Sequence, residues 1–166
     1  MNSRRFHMRY YMKQKISLFQ NFNIFDEDNH KVLRIDQKKV SLTRQSRIID
    51  VETGDVLARV KQKLVSIRPT MIVEVDGEEV AKITKKITVF KDKYKIDALD
   101  WKIKGDIWDY NYEIIDGSGK EIADISKKIF SLTDAFEFNI ADEEVNPVLV
   151  IAVILAIDYV KDTEGE

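Results

Sequence analysis

The 166-residue sequence contains no cysteine and only two histidines, His7 and His30. Without a thiol the chain has no cysteine nucleophile, disulfide scaffold or cysteine-ligated zinc or iron–sulfur site. Two histidines are too few for an ordinary multi-histidine metal site. We therefore expect neither a metal nor a cofactor. The absence of cysteine also fits a reducing compartment, and we expect a cytoplasmic protein.

Familiar catalytic motifs are also missing. The sequence has no P-loop, no G-x-G-x-x-G, no G-x-S-x-G and no H-E-x-x-H. The segment "DALDWKIKGDIWDYNYE" is the richest in acids and aromatics, and paired carboxylates can serve acid–base chemistry or hold a cation. We instead expect its acids on outer faces and in turns, and its aromatics in the wall of the fold. The acids are Asp100, Asp106, Asp109 and Glu113, and the aromatics are Trp101, Trp108, Tyr110 and Tyr112. No catalytic residue is assigned.

Charge of either sign is not in excess. The chain has 27 basic and 29 acidic residues, a net charge of −2, which gives no general attraction to nucleic acid or to an anionic membrane. The start, "MNSRRFHMRYYMKQK", lacks the apolar segment of a secretory signal. We expect a tail at residues 1–8, one domain at 9–162 and a second tail at 163–166.

What the chain does contain is an internal repeat. Six units each run through β-rich residues to an apolar residue followed by Asp, and then into a turn such as "DEDNHK", "DVETGD", "DGEE", "DALD", "DGSGK" or "DEEV". Asp and Asn bond locally to the backbone and Gly accepts positive φ, so each such segment is typical of a hairpin turn. Pro69 is the only proline in this region and indicates a loop or bulge.

Six strand pairs predict about twelve antiparallel strands, more than one open sheet usually holds. Closure into a β-barrel protects the edges. A barrel of this width has a lumen that wall side chains alone fill poorly. The run "VLVIAVILAI" at 148–157 has ten apolar residues, too few for the roughly 20 that span a bilayer. Asn146 and Pro147 form a helix-start signal, although the β-branched residues also favour a strand. We favour a helix at about 146–160 inside the barrel, stopped at a polar rim by Asp158.

Taken together, the six β units, "GDIWDYNYEIID", "KKIFSLTDAFEF" and the terminal "NPVLVIAVILAID" resemble the LURP-one-related family. The resemblance is to its bacterial YxjI-type members and to the wider Tubby C-terminal-like group, and it covers roughly residues 9–160. It implies a closed, twelve-stranded antiparallel β-barrel of six hairpin-like repeats around a central hydrophobic C-terminal helix.

Lysines recur where the units open, and equivalent places in consecutive hairpins lie near one end of a barrel. A group of ammonium groups there would suit phosphate headgroups, and Tubby domains, which the chain resembles, bind phosphoinositides through basic residues. Solvated lysines that protect strand ends are the alternative. The residues assigned to headgroup contact are Lys38, Lys39, Lys61, Lys63, Lys85 and Lys86; Lys13, Lys15, Lys127 and Lys128 occupy similar places.

The functional hypothesis is a non-enzymatic binding module whose partner is an anionic lipid surface or a protein, with peripheral membrane contact and no membrane-spanning segment. One alternative is a carrier or enzyme that uses a cavity between helix and barrel wall. Another is a scramblase-like membrane protein.

Overall fold

The computed structural model describes residues 8–14, 20–40, 43–86, 93–97, 99–130, 133–141 and 144–162. These ranges contain strands β1 (Met8–Met12), β2 (Phe22–Phe25), β3 (Lys31–Val40), β4 (Thr43–Asp50), β5 (Val56–Gln62), β6 (Thr70–Val75), β7 (Glu78–Lys86), β8 (Lys93–Asp97), β9 (Lys102–Asp106), β10 (Asn111–Ile115), β11 (Glu121–Phe130) and β12 (Thr133–Ile140), and helix α1 (Pro147–Asp162). The predicted tails lie outside the described residues, except that Met8 begins β1.

The twelve strands form one antiparallel sheet that curls into a nearly closed barrel, which confirms the predicted fold class. Each strand from β1 to β8 pairs with the next, and each from β9 to β12 does the same. The two series join where β1 pairs with β12, with Tyr10 opposite Phe138. The first and last strands of the chain are therefore neighbours.

One predicted hairpin is absent. The "DALD" segment joins β8 to β9, but these are the two edge strands, and no backbone ladder connects them within the described residues. The connection instead turns side chains inward: Trp101 is buried, and Leu99 packs against the core. Exposed Lys95 and Lys102 lie on the two edges, and such charges discourage pairing with other chains. Side chains rather than hydrogen bonds therefore cover this seam.

The turn chemistry predicted for the closing aspartates is present. In the β4–β5 turn, Asp50 Oδ1 accepts hydrogen bonds from the backbone N–H of Glu52 and Thr53, at 2.8 and 3.2 Å. The acceptors in the β2–β3 and β10–β11 turns are Asp26 and Asp116. A carboxylate that accepts hydrogen bonds from the backbone N–H groups of the next residues in the chain stabilises a tight turn. These acids therefore build the hairpins.

Helix α1 lies inside the barrel, as predicted, and residues 150–161 are all buried. The Asn146 side chain accepts a hydrogen bond from the Val148 N–H at 3.0 Å, which is the geometry of an N-cap. The apolar run thus forms a helix despite its β-branched residues, because every face finds apolar neighbours in the lumen.

The helix lies nearest to β5, β6 and β7. The inward-facing residues of this wall include Ala58, Val60 and Ala81, which are small enough for a helix backbone to come close. The far wall carries large buried side chains, among them Phe136 and Phe138. Small residues on one side and large ones on the other fill the lumen around an off-centre helix.

Candidate functional site at the lysine end of the barrel

Strand direction places the lysine-rich segments at one end of the barrel and most of the aspartate turns at the other, the exception being the β9–β10 turn with Asp106. Odd-numbered strands start at one end of the barrel, among the aspartate turns, and finish at the other end, where the lysine-rich segments lie. Register confirms the grouping: Lys38 is opposite Gln45, and Gln45 is opposite Lys61. We call the end where odd strands finish the lysine end and the opposite one the acidic end. The lysine end is the candidate site.

The six predicted lysines are together at this end but are not equivalent. Lys38 and Lys63 are exposed, and neither is ion-paired with a described residue. Lys61 forms a salt bridge with Glu74, with Nζ and Oε1 2.9 Å apart. Its charge is therefore partly neutralised, and among the predicted lysines whose side chains are described, Lys38 and Lys63 present an unpaired cation to solvent.

The other three predicted lysines contribute less. Lys85 is partly buried, follows the phase of inward-facing Ile83, and has interactions of its own. Lys39 and Lys86 lie at the ends of β3 and β7, next to last and last in their strands, and their side chains lie outside the described residues. Among the predicted lysines whose side chains are described, Lys85 therefore follows the inner face of the wall, whereas Lys38 and Lys63 are exposed.

A loop at the same end carries an apolar feature that sequence reasoning missed. Residues 63–69, "KLVSIRP", connect β5 to β6, and Leu64, Val65 and Ile67 are 73%, 87% and 104% exposed. The prediction of a loop or bulge at Pro69 is confirmed as a loop. The repeat pattern alone predicts β-rich residues here. The signal that locates the loop is Pro69, two residues after Ile67.

The helix ends at this mouth in a buried polar cluster. Asp158 and Lys161 form a salt bridge of 2.8 Å, and the Tyr110 hydroxyl donates to Asp158 at 2.8 Å. Lys161 Nζ also lies 4.1 Å from the centre of the Tyr110 ring. The prediction that Asp158 stops the helix at a polar rim is wrong. The helix continues to Asp162, and Asp158 is buried because Lys161, one turn on, neutralises it.

Tyrosines in this cluster hold their protons. Burial, followed by the nearby Asp158 carboxylate, raises the pKa of Tyr110 far above its ordinary value. Burial also raises the pKa of Tyr159 to about 12, against the opposing effect of hydrogen bonds with Ser46 and Gln37. The hydroxyl oxygens of Tyr159 and Ser46 are 2.6 Å apart. At neutral pH these groups act as hydrogen-bond donors, and their role is to fix the helix end in the barrel.

The acids considered for catalysis lie in turns and on outer faces, as expected. Asp106 Oδ1 accepts from the N–H groups of Trp108 and Asp109 at 2.9 and 3.2 Å, and Asp100 accepts from the Gly117 N–H. Of the aromatics expected in the wall, Trp101, Tyr110 and Tyr112 are buried, but Trp108 is 52% exposed on the β9–β10 turn. That last placement was wrong.

A surface groove of about 370 Å³ runs over β9, β10 and β11. Its lining includes Lys104, Glu113 and Asp124, and no residue of α1. It is therefore distinct from the helix–wall cavity that the carrier hypothesis requires.

At the acidic end, Asp26, Asp28 and His30 place three potential ligand atoms within 4.8 Å. Backbone hydrogen bonding, mainly from His30, lowers the pKa of Asp26. The contacts of this carboxylate are those of a turn.

Helices that qualify as membrane spans, by length and apolar character, do not occur among the described residues.

Comparison with known proteins supports the same reading of the fold. Over 95% of its length the chain superposes on 93% of an X-ray structure of a protein from Arabidopsis thaliana, with a TM-score of 0.70 and 14% sequence identity. At that identity the likeness shows the fold alone. Uncharacterized protein YxjI of Bacillus subtilis (strain 168) is 40% identical over 42 residues, which are 25% of this chain and 26% of that protein.

The family model for LURP-one-related proteins matches residues 8–158, from the first strand into the last turns of the helix. The chain belongs to the LURP-one-related family.

Proposed function

We propose that the protein is a non-enzymatic binding module that docks its lysine end on an anionic membrane surface. The family and its barrel fold support a binding module in general. The observation that carries the lipid proposal is the unpaired basic charge at one end: Lys38, Lys63 and Arg68 are exposed, and no described carboxylate pairs with them.

The separation of charge gives the molecule a direction. Its net charge is only −2, yet the turns at the acidic end carry carboxylates such as Asp50 and Asp116. A bilayer rich in anionic lipid attracts the lysine end and repels the acidic end, over a Debye length of about 8 Å at physiological salt. Binding then depends on which end of the barrel faces the bilayer, and the net charge of the whole chain does not predict it.

Vesicle co-sedimentation tests the proposal. Wild-type protein should bind vesicles of phosphatidylcholine with phosphatidylserine, bind pure phosphatidylcholine much less, and dissociate as salt rises. Lys38→Glu combined with Lys63→Glu should abolish binding to the anionic vesicles.

The matched control makes the same change of net charge at the other end. Lys31 and Lys102 are exposed at the acidic end of β3 and β9, so Lys31→Glu with Lys102→Glu should bind nearly as well as wild type. Equal losses in both double variants would show that net charge alone matters. No binding by wild-type protein at low salt would refute the proposal and leave a protein partner as the better hypothesis.

A further inference from the structure

We propose that the β5–β6 loop, residues 63–69, is an apolar anchor that inserts into the hydrocarbon boundary of an anionic bilayer. The inference rests on the proposed function, since the bilayer must first attract the lysine end. It adds a defined point of entry and a salt-resistant component of binding.

Exposure singles out this loop. Leu64, Val65 and Ile67 are the three most exposed large hydrophobic side chains among the described residues. The remaining two are Val51, at 44%, and Trp108, at 52%. Single exposed apolar residues are ordinary, but three within four positions on one projecting loop form a patch.

The hydroxyl of the loop is hydrogen-bonded to the barrel wall. The Ser66 hydroxyl lies 3.1 Å from that of buried Thr70, which lies 3.1 Å from the hydroxyl of Thr84 on β7. The Thr70 hydroxyl also donates to the Arg68 carbonyl at 3.1 Å. These bonds hold the shape of the loop before any contact is made, with Leu64, Val65 and Ile67 already turned to solvent.

The charges around the loop fit a phosphate layer. Lys63 and Arg68 flank the apolar tip, and residues 63–69 contain no acid. At the opening of the loop, the Lys63 N–H donates to the Thr70 carbonyl at 2.9 Å. An apolar tip placed at acyl-chain depth would leave both cations at the level of the headgroups. An apolar groove on a protein would bury the apolar tip but would offer no anionic groups to Lys63 and Arg68.

A single labelled cysteine measures insertion directly, because the chain has no cysteine of its own. Val65→Cys and the matched Val51→Cys, at the acidic end, are each labelled with the environment-sensitive fluorophore NBD and mixed with phosphatidylserine–phosphatidylcholine vesicles. The label at position 65 should brighten by about twofold or more, with a blue-shifted emission, as it enters the acyl boundary. The label at position 51 should not change. Brightening at 51 alone, or at neither position while the protein binds, would overturn the anchor.

Affinity gives the second test. The triple variant Leu64→Ser, Val65→Ser, Ile67→Ser should bind these vesicles about tenfold more weakly or worse, and should lose the fraction that resists high salt. Val51→Ser is the control and should bind like wild type. Circular dichroism checks that both variants are folded.

The outcomes separate the two proposals. If wild type binds in a salt-sensitive way and the triple variant binds equally, the anchor is wrong and the proposed function stands. If wild type does not bind, both fail. If wild type is a dimer in solution and the triple variant is a monomer, a second copy covers the loop, and the anchor is again overturned.

Discussion

The two ends of the barrel use charge in opposite ways. At the acidic end the carboxylates stabilise the turns: Asp26, Asp50 and Asp116 each accept hydrogen bonds from backbone N–H groups of their own turn. At the lysine end, Lys38 and Lys63 meet no described carboxylate. The two groups of charges are therefore tested by different measurements, stability for the carboxylates and vesicle binding for the lysines. Changes to the turn carboxylates of the acidic end should cost stability, and changes to the exposed lysines of the lysine end should cost binding.

The largest expected effect lies in the helix that joins the two ends. Ile154 is 1% exposed, and Ile154→Asp would place a charge among apolar side chains at a cost comparable to the whole stability, about 5–15 kcal/mol. We expect no folded protein, as measured by circular dichroism and soluble yield. Ile154→Val is the control and should cost about 0.5–1.5 kcal/mol. A soluble, folded aspartate variant would show that the helix is not the core of the barrel.

The next effect concerns the buried part of the lysine end. Lys161→Met removes the cation 2.8 Å from Asp158 and should destabilise the protein by about 3–5 kcal/mol, because a buried carboxylate is left without it. Asp158→Asn combined with Lys161→Met removes both charges and should recover much of that loss. Urea unfolding measures these two variants and Asp158→Asn alone. A loss in the double variant equal to the sum of the two single losses would mean that the pair does not couple.

The helix could be predicted from the sequence, whereas the buried Asp158–Lys161 pair could not. The helix was predictable because Asn146 and Pro147 mark its start and no other segment is apolar on every side. The burial of Asp158 was not, since an acid after an apolar run normally marks an exit to water. Only the barrel brings Tyr110 to it, from 48 residues away in the chain.

The sequence predicted where the lysines of the candidate site lie, but not which of them are paired with a carboxylate. The repeat placed the lysines at one end of the barrel, and register confirms that for Lys38 and Lys61. It did not reveal that Glu74 neutralises Lys61, because that pairing depends on the neighbouring strand. The apolar loop escaped for a similar reason: composition shows that Leu64 is apolar, but not whether it faces water or the core.

A matched pair of smaller changes compares the two ends directly. Asp50→Ala deletes the acceptor of two backbone N–H groups and should cost about 1 kcal/mol. Lys63→Ala removes an exposed side chain without an ion pair among the described residues and should change stability by less than about 0.5 kcal/mol. In the vesicle assay the order should reverse, with only Lys63→Ala weakened. Equal stability losses would erase the distinction between the ends.

The smallest effect is the pH dependence of the acidic end. Hydrogen bonding, chiefly from the Ser118 hydroxyl, lowers the pKa of Asp116. A carboxyl with a lowered pKa in the folded state contributes stability above its ordinary pKa of about 4, and that contribution is lost as pH falls through the lowered value. Asp116→Asn should therefore be less stable than wild type at pH 7, and the difference should vanish in acid.

Ser118→Ala tests the cause of that shift, because it removes the hydroxyl donor 2.7 Å from Asp116 Oδ1 and keeps the backbone N–H at 2.9 Å. The pKa of Asp116, followed by NMR titration, should move back toward its ordinary value without reaching it, since the backbone donors remain. Lys38 and Lys63 offer no counterpart to this experiment, because they lack fixed partners among the described residues. An unchanged Asp116 pKa in Ser118→Ala would mean that backbone N–H groups alone hold the charge. The charge of Asp116 would then be stabilised by the backbone N–H groups of its turn rather than by the Ser118 hydroxyl.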